Sequence, residues 1–141
     1  MKRLIVLLFA LVTCNGVCAQ SCLPKGITFT TQAQIDNFQI NYPGCTEIEG
    51  DVRINNYNYF YEGKILNLDS LSVIQSIGGS LLIEYYSPSL TSLNGLNNLV
   101  SIGGDLRITG KTGLTNLRGL ENLVSVGGTF EIGETNSLRS L

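Results

Sequence analysis

The chain has 141 residues, of which 43% are hydrophobic and 14% are charged, and its formal net charge is −2. The apolar fraction is too high and the charge too low for a disordered chain, and the weakly acidic balance is not that of a nucleic-acid binder. The sequence contains no histidine. This excludes catalytic triads with a histidine base and metal sites built on imidazole. We therefore predict a protein that is not an enzyme and uses no cofactor or metal.

The first 19 residues have the pattern of a signal peptide. Two basic residues precede an apolar run over 4–12, and small residues at 17 and 19 precede a cleavage site before Gln20. The apolar run is shorter than the roughly 20 residues of a membrane-spanning helix. A lipoprotein cut before Cys14 is an alternative. Either route predicts an extracytoplasmic protein, secreted or at the cell surface, with no membrane span after cleavage.

Cleavage before Gln20 leaves two of the four cysteines, Cys22 and Cys45. Exported proteins reach a compartment in which disulfides form, so we predict a Cys22–Cys45 disulfide. Two thiolates alone do not complete a metal coordination shell.

Residues 20–45 are predicted to form an N-terminal cap that contains one short helix. Thr30 and Thr31 are suitable N-cap residues, and Pro43 and Gly44 end the segment. Apolar side chains recur at helical spacing between them, at Ile35, Phe38 and Tyr42. The predicted disulfide brackets this helix and holds it over one end of the repeats that follow.

An eight-residue pattern recurs through the rest of the chain. Copies begin at Ser76, Ser101 and Ser125, with spacings of 25 and 24 residues, and a diverged copy begins at Glu47. In each copy two apolar residues flank one residue of variable character, which predicts a short strand with one inward face. A glycine pair precedes the strand in the last three copies and indicates a sharp corner or close backbone approach.

Between the copies, apolar residues recur at every third position. A long amphipathic helix would mix spacings of three and four, so this pattern predicts tight coil. The positions are Ile65, Leu68, Leu71, Ile74, Leu90, Leu93, Leu96, Leu99, Leu114, Leu117, Leu120 and Leu123.

One such unit, here called a rung, is too small to bury its own apolar face, but stacked rungs share a continuous core. The predicted fold is therefore mainly β: a right-handed parallel β-solenoid of about four rungs over residues 46–141. The pattern starts again at Leu138 and Leu141, so the last rung is incomplete. We expect either a fragment of a longer protein or end-to-end self-association through an uncapped rung.

These residues resemble the receptor L-domain family, which includes the ligand-binding lobes of growth-factor and insulin receptors and many secreted bacterial proteins. The resemblance rests on the helix bracketed by Cys22 and Cys45 and on the leucine-spaced rungs that end in Ile-Gly-Gly-x-Leu-x-Ile. The near-identical rungs are most similar to the bacterial surface-protein type. The resemblance implies a single-stranded right-handed β-helix of leucine-rich-repeat character, with a role in extracellular recognition or adhesion and without catalysis.

Aromatic residues after two of the predicted strands are the candidate ligand-binding residues. Exposed tyrosines beside asparagines form an amphipathic patch suited to a glycan or a protein loop. The alternative is that the rings pack on one another and shield a rung. The candidates are Tyr57, Tyr59 and Tyr61 after the first strand, with Phe60 among them, and Tyr85 and Tyr86 after the second.

Two other functions stay open. The chain could be a structural spacer in a long repeat protein, or an enzyme acting on polysaccharide. Glycoside hydrolysis requires two facing carboxylates, and the acidic residues Glu47, Glu49 and Asp51 lie at predicted corners. We expect a solvated rim there, and we expect Arg107 and Glu131 to be neighbours on the outer face of adjacent rungs.

Overall fold

The computed structural model describes residues 20–55, 64–84, 89–110, 113–134 and 137–139. The predicted signal peptide therefore lies outside the described residues. Within them the chain forms short strands, two short helices, α1 (Gln32–Asp36) and α2 (Phe38–Asn41), and two single-turn 3-10 helices, Asp69–Leu71 and Asn94–Leu96. The strands are β1 (Gln20–Cys22), β2 (Ile27–Phe29), β3 (Cys45–Ile48), β4 (Val52–Asn55), β5 (Ser76–Ile77), β6 (Leu81–Glu84), β7 (Ser101–Ile102), β8 (Leu106–Thr109), β9 (Ser125–Val126) and β10 (Phe130–Gly133).

The strands alternate between two parallel sheets. The first sheet has the order β1-β3-β5-β7-β9, and the second has the order β2-β4-β6-β8-β10. Each rung thus adds one strand to each sheet, and we number the strand pairs as rungs 1 to 5. A mainly β fold with parallel strands is confirmed.

The inward positions of the second sheet stack apolar side chains from rung to rung. Val52 aligns with Leu81, which aligns with Leu106, and the residues two positions further along align in the same way. Val52, Leu81 and Leu106 are at most 1% exposed. The alternation of apolar residues in the sequence therefore predicts correctly which side chains of these strands face the core.

The apolar residues at every third position form the other wall of the core. They lie in three leucine segments, residues 64–74, 89–99 and 113–123, each following the second-sheet strand of its rung. All of those in the first two leucine segments are at most 1% exposed: Ile65, Leu68, Leu71, Ile74, Leu90, Leu93, Leu96 and Leu99.

The predicted helix begins where the sequence places it and breaks once. Thr31 is the N-cap of α1, and its hydroxyl accepts a hydrogen bond from the Gln34 backbone N–H in a reciprocal capping box. The helical segment is interrupted at Asn37, where the backbone leaves helical geometry before α2. Ile35 and Phe38 are fully buried, so the two helices together present the apolar face that the spacing predicts.

These helices occupy the place of a leucine segment in rung 1. The Gln32 side-chain oxygen accepts hydrogen bonds from the backbone N–H groups of Leu66 (2.7 Å) and Asn67 (3.2 Å) in the leucine segment of rung 2. Phe29 and Phe38 pack edge to face, with ring centroids 5.9 Å apart. The N-terminal end of the core is therefore covered by α1 and α2.

Rung 1 is a finding that the repeat does not predict. Its strands β1 and β2 come from residues before the first recognisable copy, yet β2 pairs with β4 in the same register as the later rungs, Ile27 opposite Val52 and Phe29 opposite Ile54. Within the described ranges, no helix has both the length and the apolar character needed to cross a membrane.

Candidate functional site

The five candidate tyrosines, Tyr57, Tyr59, Tyr61, Tyr85 and Tyr86, lie outside the described residues, but the strands that precede them are described. Asn55 ends β4 and Glu84 ends β6, and the two residues are register partners in the second sheet. Neighbouring strands in a sheet lie about 4.8 Å apart. The aromatic inserts, residues 56–63 and 85–88, therefore begin at the C-terminal ends of two adjacent strands. We call this side of the second sheet its edge.

The outward face of the second sheet carries a charged ladder beside that edge. Register partners at its centre are Thr28, Arg53, Leu82, Arg107 and Glu131. Leu82 is only 8% exposed although it occupies an outward position, so the middle of this face is covered by surrounding side chains. The face therefore has a buried apolar residue at its centre, with an arginine on the neighbouring strand at either side.

Ion pairs fix the two arginines of this ladder. Arg53 contacts Asp51 at 3.3 Å, and Arg107 contacts Asp105 at 3.2 Å and Glu131 at 3.5 Å. The predicted proximity of Arg107 and Glu131 is confirmed. The Arg107 Nε–H group makes no hydrogen bond within the described residues, so its contact with Glu131 is an ion pair of poor hydrogen-bond geometry. Such half-exposed pairs contribute about 1 kcal/mol or less.

A groove lies where the second-sheet strands of rungs 3 to 5 end. Its volume is about 490 Å³, and its lining includes three carboxylates and a hydroxyl. The lining residues are Glu84, Thr109, Gly110, Glu131, Gly133 and Glu134. Carboxylates and hydroxyls accept hydrogen bonds, so the groove suits a ligand that presents amino, guanidinium or sugar hydroxyl groups. Sequence reasoning missed Glu84, Thr109 and Glu134, because only the shared strand ends bring them together.

The Asp51 side chain makes a hydrogen bond to the next rung. Its Oδ1 accepts a hydrogen bond from the Ser80 backbone N–H at 2.9 Å. That hydrogen bond, followed by the one from Arg53, lowers the pKa of the Asp51 carboxyl below its ordinary value. A carboxylate held ionised in this way is a poor proton donor, so the geometry does not favour Asp51 as a general acid.

The same contact recurs at every later corner. Ser80 Oγ accepts from the Asp105 backbone N–H at 3.0 Å, and Asp105 Oδ1 accepts from the Thr129 backbone N–H at 2.8 Å. We call Asp51, Ser80, Asp105 and Thr129 the corner ladder. The signal for it was present in the sequence, since a short side chain with an oxygen atom stands at this position in each copy. Among the described residues, no group of three or more acidic or cysteine side chains is arranged to hold a metal ion.

The predicted disulfide is present. Cys22 at the end of β1 is bonded to Cys45 at the start of β3, with 5.7 Å between their Cα atoms. The bond ties rung 1 to rung 2 within the first sheet. It also closes the chain segment that contains α1 and α2.

Comparison with known proteins agrees with this architecture. No solved structure matches the chain. The melanoma receptor tyrosine-protein kinase of Xiphophorus maculatus is 30% identical over 102 residues, which cover 64% of this chain and 9% of that receptor. The chain thus spans less than a tenth of the length of this curated relative. The family model of the receptor L domain, a ligand-binding module of receptors, matches residues 44–115. The chain therefore belongs to the receptor L domain family.

Proposed function

We propose that the chain is a non-catalytic extracellular recognition module that binds a protein or carbohydrate ligand at the edge of the second sheet. The observation that carries this proposal is the register pairing of Asn55 with Glu84, from which both tyrosine-bearing inserts depart. Two separate aromatic segments therefore begin directly after neighbouring residues of the second sheet. Family membership supports recognition as the role of this edge.

The chemistry around this edge supports the same proposal. Tyrosine offers a large apolar ring and a hydroxyl, and it is enriched in protein-binding surfaces. The neighbouring groove adds the carboxylates of Glu84, Glu131 and Glu134. A ring that stacks on a ligand and carboxylates that accept its hydrogen bonds together suit a sugar or a basic protein loop.

We also propose the hand of the crossovers, the roles of the N-terminal residues and the type of protein. The strand-to-strand crossovers are taken as right-handed, which is the hand of nearly all parallel crossover connections. Residues 1–19 act as the export signal, and residues 20–45 form the N-terminal cap. The near-identical rungs favour a surface protein of the bacterial type.

The test is a binding screen of the purified protein against panels of surface glycans and extracellular proteins. Tyr57→Ala and Tyr85→Ala should each weaken binding by about tenfold or more, since aromatic anchors dominate such surfaces. Ser101→Ala is the matched control, because Ser101 lies in the first sheet, away from this edge. A protein that binds nothing in the panels, or tyrosine variants that change only stability, would overturn the proposal.

A further inference from the structure

Cleavage at the predicted site makes Gln20 the N-terminal residue of the exported protein, a position that rests on the export signal of the proposed function. Gln20 is the first residue of β1, the outermost strand of the first sheet. A terminal glutamine carries a nucleophile, its free α-amino nitrogen, and an electrophile, the carbon of its own side-chain amide. Two reacting groups in one residue meet at a high effective concentration.

The fold holds the Gln20 nitrogen against β3. This nitrogen donates a hydrogen bond to Thr46 Oγ1 at 3.1 Å, and Gln20 is the register partner of Cys45. Cys45 is also the disulfide partner of Cys22 in β1. Strand pairing and the disulfide therefore place the nitrogen next to a defined acceptor.

The acceptor suits an uncharged donor. Thr46 is only 7% exposed, although Gln20 itself is exposed. A neutral N–H satisfies a buried hydroxyl oxygen, whereas an ammonium group brings a charge that loses hydration beside buried atoms. The fold therefore favours a terminal nitrogen that keeps an N–H and carries no charge.

The side-chain amide of Gln20 lies beside the same stretch of chain. Its Oε1 atom is 2.7 Å from the place that a Cβ on Gly44 would occupy. Gly44, with a φ angle of 78°, directly precedes β3. The amide group and the backbone nitrogen of Gln20 thus both lie along residues 44–46.

We propose that Gln20 of the exported protein is converted to pyroglutamate. The α-amino nitrogen attacks the side-chain Cδ atom, a C–N bond forms, and the amide nitrogen leaves as ammonia with the hydrogen that the amine has lost. The reaction needs no oxidant, reductant or co-reactant. It removes the terminal charge, and the lactam nitrogen keeps the one N–H that Thr46 Oγ1 accepts.

The first experiment expresses the full chain with its N-terminal segment and purifies the exported protein. Its intact mass should equal that of residues 20–141 with one disulfide, less one molecule of ammonia. Edman degradation, which requires a free amine, should give no sequence. Gln20→Ser is the matched control, because serine cannot form the lactam, and this variant should have its full mass and a readable terminus.

The second experiment tests the place of the lactam in the fold. NMR-detected hydrogen exchange of the lactam N–H should be about tenfold faster in Thr46→Val than in the wild-type protein, since valine keeps the shape and removes the acceptor. Thr46→Ser keeps a hydroxyl and should retain the slow exchange. Equal exchange in Thr46→Val and Thr46→Ser would contradict this placement.

The mass measurement separates two ways of failing. A readable Gln20 terminus with no loss of ammonia, even after prolonged storage at neutral pH, would overturn the lactam and leave the export signal intact. A terminus at any other residue, such as Cys14, would overturn the cleavage site and the lactam together.

Discussion

The carboxylate of Asp51 accepts a hydrogen bond from the backbone N–H of Ser80, with 2.9 Å between Oδ1 and N. The two residues hold the same corner in successive rungs. In the reverse direction, the Val52 backbone N–H donates to the Ser80 carbonyl oxygen at 2.8 Å. Side chain and backbone thus join adjacent rungs at one point, so the identity of the corner residue affects how firmly rungs stack.

Asp51→Asn should lower the stability of the protein more at neutral pH than in acid. Hydrogen bonding from Ser80 and Arg53 lowers the pKa of the folded-state carboxyl below its ordinary value of 3.8. A lowered carboxyl pKa stabilises the fold above the ordinary value, and the stabilisation is lost as the pH falls through the lower folded-state pKa. Because the Asp51 side chain is 43% exposed, we expect a deficit of only about 0.5 kcal/mol at pH 7.

Urea unfolding at pH 7 and pH 3 measures this effect. The gap between the wild-type protein and Asp51→Asn should narrow at pH 3. Glu49→Gln removes the same charge from an exposed position two residues away and serves as the control. A gap that stays constant between the two pH values would contradict the role assigned to the Asp51 carboxylate.

Gly103→Ala should destabilise the protein by about 2 kcal/mol. A Cβ at Gly103 would meet the carbonyl oxygen of Gly78, one rung earlier. Backbone atoms of a paired rung cannot move aside without breaking the sheet contacts on either side. Chemical denaturation of the purified variant gives the free energy of unfolding.

Gly133→Ala is the matched control for this substitution. A Cβ there would meet only the Thr109 Cγ2 atom at 3.7 Å, which is an ordinary contact. We expect a change within about 0.5 kcal/mol. Equal losses for both variants would contradict the claim that close approach to Gly78 is what requires glycine at position 103.

Truncating a leucine should cost more in the middle of the stack than at its end. Leu96 is 1% exposed between two rungs, whereas Leu120 is only partly buried. Leu96→Ala should therefore lose about 3 kcal/mol, within the usual range for a buried leucine, and Leu120→Ala about 1 kcal/mol. Similar losses at both sites would show that Leu120 is covered in solution.

The sequence predicts those features that depend on local or repeated pattern. The N-cap at Thr31, the inward alternation around Val52 and the Cys22–Cys45 bond follow from spacing and residue type, and the structure contains them. Each inner rung buries one stripe of apolar side chains at equivalent positions. Because the apolar pattern occurs in four copies, comparing the copies was enough to predict which residues form the core.

Features that depend on contacts between rungs were harder to predict. Strands β1 and β2 belong to no repeat copy, and they are fixed by pairing with β3 and β4. The break at Asn37 lies within an uninterrupted helical spacing of apolar residues, which by itself predicts one continuous helix. Asp51 looked like a solvated acid because its partner, the Ser80 N–H, lies 29 residues away in the sequence.

Removing the disulfide should destabilise the whole protein and loosen rung 1 most. The bond closes a segment of 23 residues, and cross-linking a loop of that size stabilises by about 3 kcal/mol in the chain-entropy model. Rung 1 and its helices lie at the end of the stack, where rungs 3 to 5 give no direct support. The double variant Cys22→Ser/Cys45→Ser should therefore lose about 3 kcal/mol and show faster hydrogen exchange over residues 20–42 than over residues 89–110. Wild-type protein measured with and without a reductant provides the control, and uniform acceleration across both ranges would show that the bond stabilises the stack as a single unit.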